Sequence, residues 1–227
     1  MKPQLFLLHF AGGNKYSFRF MNPLLNGFDV IPLELPGRGD RMNEDLLRSF
    51  DLAAIDIYNQ INNKLTSSNN FLIYGHSLGA YLTLRVASML EKVNRNPKYI
   101  IVSGNPGPGV REIKTYHLLE KNEFKIALKK LGGFPLELLE NEELFDFFEP
   151  VLRADFELIE KDLLKNEKPV AAPIYAFMGS EEKLVQKISN WSNFTTGAFN
   201  CEVVHGGHFF ILENPTKIAD VINKYGN

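Results

Sequence analysis

Short apolar runs alternate along this chain with longer stretches whose apolar residues recur every three or four positions. Leu5–Phe10, Phe28–Glu34, Phe71–Tyr74, Tyr99–Ser103, Ile174–Met178 and Cys201–Val204 are compact, rich in Ile, Leu, Val and Phe, and bounded by Gly, Pro or Asn. They read as buried strands. Between them Ser49–Leu65, Leu78–Lys92, Val185–Phe194 and Pro215–Tyr225 carry helical spacing. Strands and helices in alternation predict an α/β fold, with a mostly parallel sheet covered by helices on both faces.

One segment departs from the alternation. From Ile113 to Leu164 there is no strand pattern, only helical spacing in Phe124, Ile126, Leu128 and Leu131, and again in Leu144, Phe145, Phe147, Phe148, Val151 and Leu152. Gly132, Gly133 and Pro135 divide it into at least two helical pieces. Residues 113–165 are therefore expected to form a helical cap (lid) inserted between two strands, with 1–112 and 166–227 forming the body. Such a cap would cover the carboxyl edge of the sheet, where sites of open α/β folds lie.

Composition narrows the class. The 227 residues are 44% hydrophobic and 23% charged, ample for a large core and incompatible with intrinsic disorder. With 25 Lys and Arg against 27 Asp and Glu, the net charge of −2 argues against binding by phosphate neutralisation, so nucleic acid is not an expected partner. No apolar run approaches the ~20 residues needed to cross a bilayer, and the opening Leu5–Leu8 run is too short for a signal peptide core, so neither membrane nor export is expected. The lone Cys201 has no internal disulfide partner and reads as a small core residue in a reducing, cytoplasmic setting.

The chemistry is concentrated in Gly75-His76-Ser77-Leu78-Gly79, which lies between the Phe71 strand and a Leu- and Ala-rich helix. A serine on such a turn is held in a strained conformation with its hydroxyl exposed at the sheet edge, and the Leu78 N–H at the helix start faces any negative charge developing there. A serine hydroxyl needs a base. Of five histidines, His76 reads as packing, His9 as shaping the site and His117 as part of the cap. His205 and His208 follow the last strand, and His208, after two glycines, is the preferred base. The acid that orients it is expected between serine and histidine in the chain. Glu181 and Glu182 after the Ile174 strand fit, and Asp155 of the cap competes with them. A second oxyanion donor is expected in the loop after the first strand, at Ala11 of His9-Phe10-Ala11-Gly12-Gly13.

These strings together resemble the type II thioesterases of nonribosomal peptide and polyketide synthases, within the α/β-hydrolase superfamily. The resemblance runs from Leu5 to about Tyr225. It rests on His9-Phe10-Ala11-Gly12-Gly13, Pro36-Gly37-Arg38-Gly39-Asp40-Arg41, the serine motif, Leu152-Arg153-Ala154-Asp155-Phe156, and Gly206-Gly207-His208-Phe209-Phe210. The family's usual aspartate aligns with Glu182. Arg38, Arg41 and Arg153 match recurring arginines, expected to pair loops to the body or to meet substrate.

The resemblance implies an α/β-hydrolase fold and a stand-alone serine thioesterase that removes acyl or aminoacyl groups from phosphopantetheine arms. Ser77, Glu182 and His208 would be catalytic, with Ala11 and Leu78 forming the oxyanion hole. No metal or other cofactor is implied. The expected partners are acyl or peptidyl carrier protein domains of a synthase, met by a monomer. The rival expectations are a carboxylesterase or lipase acting on small oxygen esters, and a binding protein that keeps the fold without turnover.

Overall fold

A computed structural model describes residues 2–67, 69–110, 112, 114–161 and 166–226. Six strands form one parallel sheet: β1 (Gln4–Leu8), β2 (Asp29–Leu33), β3 (Phe71–His76), β4 (Tyr99–Ser103), β5 (Ile174–Gly179) and β6 (Phe199–Val204). Their order is β2-β1-β3-β4-β5-β6. The chain runs outward from β1 to β2, then crosses back to start the other half of the sheet at β3. The order reverses between β1 and β3, and crevices at the carboxyl ends of such strands are where open α/β sheets hold ligands.

Hydropathy explains the strand positions. β1, β3 and β4 are buried along their whole length, as continuous apolar runs require, whereas β2 and β6 are largely accessible because each pairs on one side only. Cys201 lies on β6 and is exposed, so it is not the core residue the sequence led us to expect. Its apolar neighbours in sequence identified a strand but carried no information that the strand is an edge.

Seven α-helices are described: α1 (Phe50–Lys64), α2 (Leu78–Glu91), α3 (Lys121–Leu131), α4 (Leu136–Glu140), α5 (Glu142–Lys161), α6 (Phe210–Glu213) and α7 (Pro215–Gly226). α1 is capped by Ser49, whose hydroxyl accepts the Leu52 N–H, and it buries Phe50, Ala53, Ala54, Ile57 and Ile61 on one stripe. The Val185–Phe194 segment is a 3₁₀ helix rather than an α-helix, yet it still buries Ile188, Trp191 and Phe194. The sheet separates two apolar cores, one beneath α1, α2 and α5, the other beneath α7 and the Arg19–Leu24 turn. Each fully buried Leu or Phe in them contributes roughly 1.5–3 kcal/mol.

Between β4 and β5 the chain is helical, as its spacing predicts, with three α-helices where at least two pieces were expected. Gly132 and Gly133 separate α3 from α4 at φ 81° and 75°, a left-handed conformation that favours glycine. The expected cap limits at Ile113 and at Leu164 and residue 165 lie outside the described residues. Pro150 within α5 removes the hydrogen bond to the Asp146 carbonyl. Beyond it the helix is largely buried, through Val151, Leu152, Ala154, Asp155, Phe156, Glu157 and Leu158. Among the described residues, no helix is long and apolar enough to cross a membrane.

Candidate active site

The turn between β3 and α2 is one residue long. Ser77 occupies it at φ 55° and ψ −112°, a conformation that costs a non-glycine residue on the order of 1–3 kcal/mol. Its closure depends on bare backbone at both flanks. A Cβ at Gly75 would lie 2.1 Å from the Gly79 carbonyl oxygen, and one at Gly79 would lie 2.1 Å from that of Leu8. The Ser77 N–H donates to the Ser103 carbonyl at 2.8 Å, and the Ser77 carbonyl accepts from Asn105 Nδ2 at 2.9 Å.

Asn105 is buried and held in turn. Its Oδ1 accepts the Gly107 N–H and its carbonyl accepts the Trp191 indole N–H, both at 3.0 Å. Sequence reasoning did not single it out. The available signal was its place: Gly104-Asn105-Pro106 follows β4, the neighbour of β3, at the same sheet edge.

His208 lies over Ser77, with Nε2 3.0 Å from Ser77 Oγ. Its other nitrogen, Nδ1, is 2.9 Å from Glu182 Oε2. An imidazole that donates from Nδ1 to a carboxylate presents an unprotonated Nε2, the acceptor a serine hydroxyl requires. The second carboxylate oxygen of Glu182 accepts the Gly179 N–H at 2.8 Å, which fixes the side chain against the end of β5. Ser77, His208 and Glu182 thus form one continuous relay contributed by the ends of β3, β6 and β5.

The other candidates lie elsewhere. Glu181 is exposed at the rim, and the His205 side chain is exposed while its carbonyl accepts from Asn214. His117 pairs with Glu160. Asp155 is buried and bound bidentately by Arg38, with Nη1 at 2.5 Å and Nη2 at 2.7 Å, so its carboxylate is committed to the Pro36–Arg41 loop rather than to His208. Arg41 is likewise bound by Asp56 and Glu44, and Arg153 by Glu149 and the His117 carbonyl. All three arginines tie loops and helices together.

His9 and His76 support the site from below. His76 is fully buried, bonds Ser103 Oγ through Nδ1 at 2.8 Å, and packs against the His208 ring at 5.1 Å between centroids. Burial holds it neutral by pushing its pKa well below the ordinary histidine value. His9 is pushed down to about 4, chiefly by burial and then by the Arg38 charge. The neutral ring donates from Nδ1 to the Phe10 carbonyl at 2.8 Å and accepts the Leu35 N–H at Nε2.

Two backbone N–H groups lie at the sheet edge here. Leu78 opens α2, so its N–H has no partner within the helix. In the loop after β1, Gly12 N–H donates to Asp155 Oδ2 and Gly13 N–H to the Phe10 carbonyl. Among the described residues this leaves the Ala11 N–H without an acceptor.

Above Ser77 and His208 lies a cavity of about 650 Å³. Tyr81, Leu131, Phe156, Ile159, Met178 and Leu184 give it apolar walls, while Lys114 and Lys183, both paired with Glu112, stand at its rim. α3, α5 and the Tyr116 turn supply one side of it. This is space for an apolar chain ending at a serine hydroxyl.

Known proteins resemble this chain over nearly its whole length. The gramicidin S biosynthesis protein GrsT of Aneurinibacillus migulanus is 31% identical over 98% of this chain and 88% of its own length. The type II thioesterase BorB, from the borrelidin biosynthetic cluster, superposes with a TM-score of 0.91 at 28% identity, over 100% of this chain and 94% of its own. RedJ, the thioesterase from the prodiginine biosynthetic pathway in Streptomyces coelicolor, gives 0.88 at 27% identity, over 98% and 85%. The family model for the thioesterase domain matches residues 3–225, from the strand that precedes the Ala11 loop to the helix that closes the sheet. The chain is therefore a member of the thioesterase domain family of hydrolases.

Proposed function

We propose that this thioesterase hydrolyses acyl or aminoacyl thioesters carried on the phosphopantetheine arm of acyl or peptidyl carrier protein domains, in the cytoplasm, as an editing or releasing enzyme of a nonribosomal peptide or polyketide synthase. The observation that carries the reading is the unbroken Ser77–His208–Glu182 relay at the floor of an apolar cavity. The naming of relatives after such pathways supports the choice of substrate.

In the first step Ser77 Oγ attacks the thioester carbonyl carbon as His208 Nε2 takes its proton. Glu182 accepts the Nδ1 hydrogen bond throughout and stabilises the imidazolium without taking the proton itself. The carbonyl oxygen becomes an oxyanion, held by the Ala11 and Leu78 N–H groups. A preorganised donor of this kind is worth about 10²–10³ in rate. Collapse breaks the carbon–sulfur bond, and the thiol leaves with the proton from His208. Water, deprotonated by the same nitrogen, then attacks the acyl-serine carbonyl carbon; the bond from that carbon to Ser77 Oγ breaks, His208 returns the proton to Oγ, and the acid is released. Every proton in this sequence is handled by the chain's own groups, so no metal or other cofactor enters it.

Within residues 113–165, α3 and α5 act as a lid over the sheet edge, since their Leu131, Phe156 and Ile159 wall the acyl cavity. The test is to offer the purified protein an acyl-loaded carrier domain and a short p-nitrophenyl ester. A higher kcat/KM for the carrier is expected. A preference for the free ester would assign the site to an esterase, and turnover of neither would leave a binding protein.

A further inference from the structure

The loop that supplies the Ala11 donor is held at nearly every peptide group. The Phe10 carbonyl accepts from Gly13 N–H at 2.9 Å and from His9 Nδ1 at 2.8 Å. In a trans peptide the carbonyl and the N–H point in opposite directions, so fixing Phe10 C=O fixes the direction of Ala11 N–H. The next N–H, that of Gly12, donates to Asp155 Oδ2 at 2.7 Å. The Gly13 carbonyl accepts from Arg38 Nη1 at 3.2 Å, and the same guanidinium grips both oxygens of Asp155. Three segments distant in the chain thus meet at one buried ion pair, with Asp155 1% and Arg38 6% exposed.

A carboxylate beside a site where negative charge develops would oppose the reaction if it stood alone. Bidentate pairing with Arg38 cancels that charge, so what Asp155 contributes at the loop is geometry. The contact is tight on the apolar side as well. Gly12 has φ 76°, and a Cβ there would lie 2.4 Å from Leu152 Cδ2, one helical turn before Asp155 on α5.

We propose that Asp155, fixed by Arg38, is a positioning residue for the oxyanion loop, so that the oxyanion hole is complete only while α5 is seated on it. Asp155 touches no reacting atom and acts through the Gly12 peptide. This deepens the proposed function and rests on the Ala11 loop being the oxyanion donor.

The experiment compares two acyl-pantetheine analogues. A trifluoromethyl ketone adds Ser77 Oγ to its carbonyl carbon, passes the serine proton to His208 and places an oxyanion in the hole. An amide in place of the thioester reports ground-state binding alone. The variants are Asp155→Asn and the double variant Arg38→Met with Asp155→Leu, which removes both charges together so that neither is left buried and unpaired. In both variants the ketone should bind about 10- to 100-fold more weakly with amide affinity unchanged, and kcat should fall by a similar factor at constant KM. Should either variant melt as wild type does and keep the wild-type ratio of ketone to amide affinity, the inference is overturned. A parallel loss of both affinities would assign Asp155 to general substrate binding and overturn it too. Wild-type protein that binds the ketone no better than the amide would refute the oxyanion reading itself, and the inference with it.

Discussion

Glu182 Oε2 stands 2.9 Å from His208 Nδ1, while the adjacent Glu181 is exposed at the rim of the cavity. Neighbouring side chains on a tight loop diverge, and only one of these two carboxylates meets the imidazole. Glu182→Gln should lower kcat by about 10³–10⁴, because the amide imposes the wrong tautomer on the ring. Glu181→Gln should leave kcat nearly unchanged. Glu182→Asp is informative in a different way. The present side chain spans from the Gly179 N–H to His208, and a stem one methylene shorter fails to bridge both, so a loss of roughly tenfold or more is expected. Steady-state kinetics on one acyl-carrier substrate checks all three. A large loss in Glu181→Gln with little in Glu182→Gln would reassign the acid.

Ser77 stores strain that a glycine would release. At φ 55° and ψ −112° a Cβ is unfavourable, and Ser77→Gly should abolish turnover while raising stability by about 1 kcal/mol. For a chain of this length that corresponds to an increase of roughly 2–4 °C in the melting temperature. Differential scanning calorimetry of Ser77→Gly against Ser77→Ala reads the effect, since alanine removes the hydroxyl but keeps the strained Cβ. Equal melting temperatures would place no strain at the turn.

Acid should weaken the fold through its buried histidines. His9 is neutral in the folded state, with its pKa pushed down to about 4 by burial and by Arg38, whereas the unfolded chain takes up a proton near 6.5. Its contribution is therefore fully present above pH 6.5 and is lost as pH falls from 6.5 towards 4, amounting to about 3 kcal/mol over that window. His76, lowered in the same direction, adds to the slope. Urea denaturation at pH 7, 6, 5 and 4.5 should show the decline. His9→Asn, which retains a donor for the Phe10 carbonyl but no titrating ring, should flatten it. An unchanged slope in that variant would assign the acid sensitivity to other groups.

How much of this was legible in the chain depends on the range of each interaction. The Ser77 turn is local: an apolar strand, two obligatory glycines and a helix fall within ten residues, and the sequence pattern alone locates it. His208 is nearly as local, because Gly206 and Gly207 mark the loop that brings it over the sheet. The choice between Glu181 and Glu182 is decided by side-chain direction, which no spacing encodes, and the family alignment rather than the periodicity pointed to Glu182. Asp155 was legible as a chemically capable carboxylate but not as Arg38's partner, since those residues are 117 positions apart and meet only because α5 folds back onto the Ala11 loop. Cys201 failed for a related reason: strand composition identifies a strand, while pairing order decides whether it becomes an edge. Asn105 was overlooked because a lone asparagine in a Gly- and Pro-rich loop resembles an ordinary turn residue until β4 is known to lie beside β3.

The most direct measurement is rapid-quench intact-mass spectrometry of the enzyme mixed with an acyl-loaded carrier protein, followed by peptide mapping. A transient mass increase equal to the acyl group, located on the peptide that contains Ser77, is expected together with free acid as product. Ser77→Ala should form neither, with turnover at least ~10³-fold lower. Free acid released at the wild-type rate by Ser77→Ala, or an acyl group mapped to a residue other than Ser77, would contradict Ser77 as the nucleophile.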